Sequence, residues 1–108
     1  MKLPTEIFRD VVVVHTPEEL GTDTSHLLEG FLTSQERNNV IVDLDGSETI
    51  DSGGLEALYS AQEALRALQG DLKIATSNPA NRKILEITRL DEQIEVFETV
   101  IDAVKSFS

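Results

Sequence analysis

Two uninterrupted apolar runs constrain the fold of this chain most: Val11-Val12-Val13-Val14 and Val40-Ile41-Val42-Asp43-Leu44. Both are rich in β-branched residues, whose stiff side chains suit a strand better than a helix. Apolar positions that follow one another without alternation point to buried strands. The segment between them has a different period. Leu27, Leu28, Phe31 and Leu32 recur at helical spacing, with Asp23 or Thr22 as a cap, and Gly30 inside the turn weakens that helix by about 1 kcal/mol relative to alanine.

The same alternation continues to the end. Gly54, Ala57, Leu58, Ala61, Ala64, Leu65 and Leu68 share one helical face, with Glu56, Ser60, Glu63 and Arg66 opposite and Gly70 as the terminating C′ glycine. Leu72 to Ala75 reads as a short strand. Asn78-Pro79 is a cap followed by proline at the first helical position, opening a helix that buries Ala80, Ile84 and Ile87, with Leu85 and Thr88 beside them. Ile94 to Phe97 is a last strand, and Thr99 caps a terminal helix with Val100, Ile101, Val104 and Phe107 inward. At the other end, Leu3 to Phe8 is an edge strand turned by Arg9-Asp10 into the first buried run, which Pro17 ends. Strands that alternate with helices predict an α/β fold: a mainly parallel sheet with right-handed crossovers, an N-terminal antiparallel edge strand and about four helices.

Composition narrows the function classes. At 108 residues the chain is expected to form one domain, 1-108. It has no cysteine, so disulfides and thiolate metal sites are excluded, which suits a reducing, cytoplasmic setting. No apolar run approaches the roughly 20 residues of a membrane span, and Met1-Lys2-Leu3-Pro4-Thr5 lacks a signal-peptide core. The net charge of −11 argues against nucleic acid and anionic membranes and favours a basic patch on another protein. One tyrosine and no tryptophan leave no aromatic stacking platform.

The segment Asp51-Ser52-Gly53-Gly54-Leu55 stands where a buried strand and a polar loop give way to the longest helix. A helix start presents unpaired N–H groups and a partial positive charge, so it tolerates an anion. Asp51 or Ser52 can cap the helix; Ser52 can equally carry a phosphate there. Gly53 and Gly54 permit a tight turn or the close approach of a partner loop. Leu55 and Tyr59 are either an exposed apolar contact or a shoulder of the core.

The whole pattern from Val11 to Phe107 resembles the STAS domain of bacterial anti-sigma factor antagonists. The apolar strand ending in Asp43-Leu44, the helix start Asp51-Ser52-Gly53-Gly54-Leu55, the third helix from Asn78-Pro79 through Ile84-Leu85 to Thr88-Arg89-Leu90, and the closing Ile94–Phe97 with Ala103 and Val104 carry the likeness together. The resemblance implies a binding module with no catalysis and no cofactor or metal. It implies that Ser52 is phosphorylated by an anti-sigma factor serine kinase, which the unphosphorylated form binds, and reset by a PP2C-type phosphatase. Glu19, Leu20, Asp51, Gly53, Gly54 and Leu55 become the expected partner contacts. Two residues depart from the family pattern: Gly53 replaces Ser or Thr after the phosphoacceptor, and Gly21 replaces an aspartate in the loop after the second strand. The alternative is a non-switching STAS subunit of a stressosome-type scaffold or a lipid-transport complex.

Enzyme motifs are incomplete. Asp43-Leu44-Asp45-Gly46-Ser47 looks like the nucleophile motif of haloacid-dehalogenase-type phosphatases, but no later acidic pair follows a strand to hold magnesium. A receiver domain needs an acidic pair after its first strand, where His15-Thr16-Pro17 stands. Ser52 lacks the Gly-x-Ser-x-Gly elbow of serine hydrolases. His15 reads as a strand-end residue and His26 as a partly exposed helix residue. Asp43, Asp45 and Glu48 read as a solvated acidic loop, with Asp45 and Glu48 opposing a phosphate on Ser52 if that loop folds back.

Overall fold

The computed structural model describes residues 1–108, the side chain of residue 22 excepted. A five-stranded sheet runs β1 (Thr5–Phe8), β2 (Val11–His15), β4 (Asn39–Asp43), β6 (Asp71–Ala75) and β7 (Val96–Phe97). Only β1 and β2 are antiparallel, joined through Arg9 at φ 58°; the other pairs are parallel. The consecutive apolar runs divide by parity. Val12, Val14, Val40, Val42, Leu72 and Ile74 meet α1 (Ser25–Thr33), α2 (Ser52–Ala67) and α3 (Pro79–Ile87) in the main core. Val11, Val13, Ile41 and Ala75 face α4 (Val100–Lys105) through Ala103. That is why the runs Val11–Val14 and Val40–Val42 are apolar at every position: β2 and β4 are covered on both faces.

The chain also builds a second, two-stranded parallel sheet that its sequence does not announce. β3 (Glu19–Leu20) pairs with β5 (Thr49–Ile50), Glu19 opposite Thr49 and Leu20 opposite Ile50. Two residues are too few for a strand to show a period, so both segments read as loop.

Several helix faces differ from expectation. In α1, Leu28 and Leu32 are buried while Leu27 points outward, and the α-helix starts only after a 3₁₀ turn at Thr22–Thr24. Its N-cap is Thr24, not Asp23; the Thr22 side chain lies outside the described residues. Along α2, Gly54, Ala57, Leu58, Ala61 and Leu65 are buried as the spacing requires, but Leu68 is exposed, and Gln62, which the spacing assigns to neither face, is buried. Gln62 Nε2 donates to Asp71 Oδ1 at 3.1 Å and to the Gln93 carbonyl at 3.0 Å, which satisfies a buried amide. In α3 the inward residues are Asn81 and Leu85, whereas Ala80 and Ile87 are exposed. In α4, Ile101 is exposed and only Val100, Val104 and Phe107 join Ala103.

The end of α2 corrects the role of Gly70. The left-handed residue is Gln69, at φ 66°. Its N–H donates to the Arg66 carbonyl at 3.0 Å and the Gly70 N–H to the Leu65 carbonyl at 2.8 Å, the bond pattern of a Schellman ending with glycine one place later than usual. Gly70 is required for space: a Cβ there would stand 2.0 Å from the Asn38 carbonyl oxygen.

Candidate functional site

Ser52 is exposed at the first position of α2. Three supports place it there. Asp51, in extended backbone at φ −103°, caps the helix: its Oδ1 accepts from the Gly54 N–H at 3.1 Å and its carbonyl from the Leu55 N–H at 3.1 Å. The Asp51 N–H donates to the Leu20 carbonyl at 3.1 Å, which fastens the helix start to β3. Gly54 lies directly against that carbonyl; an added Cβ would stand 2.7 Å from the oxygen. Asp51 is therefore the cap, and Ser52 is left facing solvent.

The expected contact residues separate into two groups. Glu19, Asp51 and Ser52 are exposed and Leu55 is half-buried. Leu20, Gly53 and Gly54 are buried beneath them, with Leu20 and Gly53 still bordering surface grooves. For Gly54 the close approach to the Leu20 carbonyl itself requires glycine. Beside Ser52 an open groove has Glu19, Asp23 and Asp51 around Leu20 and Ile50. Gly21 stands under the Asp51 carboxylate, with 2.9 Å between its ideal Cβ and Oδ2. A side chain at position 21 would displace that carboxylate, and an aspartate would set a second charge against it. Tyr59 is 39% exposed, about two turns along the helix from Ser52; its hydrogen bond to Glu63 raises its pKa above the ordinary tyrosine value.

The acidic loop is more ordered than a solvated loop. Asp45 accepts from the Ser77 N–H at 2.7 Å, Ser77 Oγ at 2.9 Å and Thr76 Oγ1 at 3.0 Å. Partial burial raises its pKa, but these hydrogen bonds outweigh that and hold it below the ordinary aspartate value. The Asp45 carboxylate is thus engaged at the β6–α3 turn, not folded back on Ser52. Ser47 is buried, bonded to Thr16 Oγ1 at 2.6 Å and to the Pro17 carbonyl. Asn81 Nδ2 donates to the carbonyls of Leu44 at 3.1 Å and Ser47 at 3.2 Å, so α3 grips the loop that leads to β5 and Ser52.

His15 sits at the end of β2, as read from the sequence, but with two carboxylates. Its Nδ1 lies 2.8 Å from Asp43 Oδ2 and its Nε2 2.7 Å from Glu6 Oε1. Burial lowers its pKa, and the hydrogen bonds and charges of Glu6 and Asp43 overcome this and raise it above 6.5. Asp43 and Asp45 therefore face different partners and do not converge as a nucleophile and acid would. His26 is exposed, in a groove shared with Ser25 and Gly53.

Residues 2–103 match the family model of the STAS domain. The chain belongs to the STAS domain family. An anti-sigma factor antagonist homolog of Thermotoga neapolitana is 24% identical over 106 residues, covering 94% of each chain. A crystal structure of an anti-sigma factor antagonist from Thermotoga maritima superposes with a TM-score of 0.87 at 22% identity, over 96% of this chain and 92% of that one. The Bacillus cell fate determinant SpoIIAA, solved in its phosphorylated form, gives a TM-score of 0.72 at 17% identity over 99% and 100% of the two chains. These structural likenesses confirm the STAS-like fold. Among the described residues no helix is long and apolar enough to cross a membrane.

Proposed function

We propose that this STAS chain acts as one cytoplasmic domain, an anti-sigma factor antagonist switched by phosphorylation of Ser52. The unmodified form binds an anti-sigma factor serine kinase, the phosphorylated form releases it, and a PP2C-type phosphatase resets the serine. The carrying observation is Ser52 itself: an exposed hydroxyl at the first position of α2, beside a cap made by another residue. Because Asp51 does the capping, Ser52 is chemically spare, and its modification leaves the helix anchored. Contact falls to Glu19, Asp51, Ser52 and Leu55, with Leu20, Gly53 and Gly54 beneath them. A relative known in a phosphorylated form, SpoIIAA, supports the reading.

Phosphate adds about −1.5 to −2 charge at this point. It lands beside the carboxylates of the Asp51 groove, on a chain already at −11. The change acts outward, against the surface that met the neutral serine. The domain itself performs no catalysis: it is the substrate of the kinase and the phosphatase.

The test is binding of the unmodified and phosphorylated chains to the purified kinase. Incubation with kinase and ATP adds one phosphate, mapped to Ser52, and Ser52→Ala loses it while still binding. Ser52→Asp binds more weakly. Equal affinity of the two forms would remove the switch and leave a non-switching scaffold or lipid-transport subunit as the reading.

A further inference from the structure

Glu6, His15 and Asp43 meet at one end of the main sheet, on three adjacent strands, and the proposed switch uses none of them. His15 ends β2 opposite Asp43 of β4, and its backbone N–H donates at 3.0 Å to the carbonyl of Pro4, the residue before β1. The ring bridges both neighbouring strands: Nδ1 lies 2.8 Å from Asp43 Oδ2 and Nε2 2.7 Å from Glu6 Oε1. An ionised carboxylate only accepts, so each ring nitrogen must donate. A neutral imidazole carries one N–H and can serve one carboxylate. The bridge is therefore complete only with the imidazolium.

Its two halves are unequal. The Asp43 side chain is 17% exposed, and the residue is held without the ring: Oδ1 accepts from the Asp45 N–H at 3.0 Å, and the carbonyl accepts from the Thr16 N–H and Oγ1, each at 3.1 Å. The Glu6 side chain is 55% exposed, and among the described residues no other hydrogen bond or ion pair holds it. Its strand is thinly held as well. All four residues of β1 are exposed, and β1 is an edge strand bonded to β2 alone.

We propose that the proton on His15 is a pH-sensitive pin for β1. While the ring is charged, Glu6 and Asp43 are both bonded, and the N-terminal strand is fastened across β2 to β4. When the ring gives its Nε2 proton to solvent near neutral pH, Nδ1–H stays on Asp43 and the Nε2 lone pair is turned to the Glu6 carboxylate. Two acceptors then face each other, so Glu6 swings into solvent and β1 loosens. The ionisable groups that face the ring are Glu6 from β1 and Asp43 from β4, and both favour its charged form. The change is local: the Leu20 carbonyl and the Asp51 cap that seat the start of α2 make no bond to β1.

The experiment takes the isotope-labelled chain from about pH 5 to pH 9. Long-range proton–nitrogen correlation reads which ring nitrogen of His15 carries a proton. Amide hydrogen exchange, corrected for its intrinsic dependence on pH, reads the backbone bonds between β1 and β2. Wild type should pass from a doubly protonated ring to the Nδ1–H tautomer. Across the same titration, exchange at the β1–β2 bonds should rise about twofold to fivefold, with the β4–β6 bonds unchanged. Glu6→Gln distinguishes the pin from a general loosening, because a carboxamide accepts from the charged ring and donates to the neutral one. Glu6 is exposed, so this variant keeps the fold, and its β1 should show no step with pH. The Nε2–H tautomer at high pH, wild-type β1 exchange without a step, or the same step in Glu6→Gln would each overturn the pin.

Discussion

Alanine at Gly54 tests how the start of α2 is seated. An ideal Cβ there stands 2.7 Å from the Leu20 carbonyl oxygen and 3.2 Å from both its carbonyl carbon and Cγ. Backbone cannot rotate aside as a flexible side chain does. The Leu20 carbonyl also accepts from Asp51, and Leu20 is paired with Ile50 in the small sheet. Moving either side of the contact loosens the cap or the β3–β5 pairing. Overpacking of this kind costs about 1–3 kcal/mol. Against it stands the helix preference for alanine over glycine, worth up to about 1 kcal/mol. The expected net loss is about 1–2 kcal/mol, and each kcal/mol lowers the melting temperature by roughly 4–8 °C in a chain near this size. Gly30→Ala is the internal control. It is also a helical glycine, but no atom lies within 4 Å of its ideal Cβ. There the same substitution stabilises by roughly 0.5–1 kcal/mol. Urea titration followed by circular dichroism reads both. Opposite signs are expected; stabilisation at both positions would refute the packing of α2 on β3.

Leu65→Ala should cost about 2–5 kcal/mol in the same titration, since Leu65 is fully buried, while the exposed Glu63→Ala should stay within about 0.5 kcal/mol. The His15 clasp predicts a pH dependence: its folded pKa is raised, so its stabilisation is complete below the unfolded value near 6.5 and lost as pH rises through the folded value. The stability gap between wild type and His15→Gln should therefore shrink from pH 6 toward pH 9, to be checked by denaturation at about five pH values; a gap that widens refutes the clasp. Asp45 has the opposite sign: its stabilisation is present above the unfolded value of 3.8 and lost as pH falls through the lowered folded value, so Asp45→Asn should flatten the acid limb of the unfolding curve. Purified chain with magnesium should not hydrolyse a generic phosphomonoester above a blank; turnover abolished by Asp43→Asn would overturn the binding-module reading.

The five main strands and four helices are legible in the sequence because each carries a period or a strong cap. Asn78 accepts from the Ala80 N–H at 2.9 Å and Thr99 from the Asp102 N–H at 3.0 Å, both as their positions imply. The faces of the short helices are less legible. In α3, apolar residues occupy both sides, Leu85 inward and Ile87 outward, and the deciding inward residue is polar. Nothing local in the sequence says that Asn81 is buried to satisfy two carbonyls far along the chain. The same holds for Lys73, which is 7% exposed and lies 4.3 Å from the centre of the Phe107 ring, with Nζ 2.8 Å from Ser106 Oγ. Its apolar stem and aromatic cover make it interior, and only the fold brings Phe107 to it. At the site, Ser52 and its cap are visible in the sequence. The division between residues that show and residues that support is not, because it depends on β3 closing over the helix start.

That division bears on what phosphate does to the fold. The start of α2 favours an anion by roughly 0.3–1 kcal/mol. Asp51 beside it opposes, since a phosphate of about −1.5 to −2 and a carboxylate at about 6 Å in a water-like dielectric repel by about 1–1.4 kcal/mol. These effects nearly cancel, and salt screens the more distant carboxylates of Glu19 and Asp23. Neither effect touches the bonds that seat the helix: the Asp51 cap, the Leu20 carbonyl and the Gly54 contact all lie beneath or beside Ser52. The phosphorylated chain should therefore melt within a few degrees of the unmodified one. A partner surface enjoys no such cancellation. A surface shaped to the neutral serine would meet the full added charge and bulk at close range, where stripping water from an unpaired charge costs several kcal/mol. A device built this way changes affinity without changing fold. Thermal melting and kinase binding measured on the same phosphorylated sample separate the two: a large fall in melting temperature would mean that phosphate acts by undoing the helix start and not by repelling the partner.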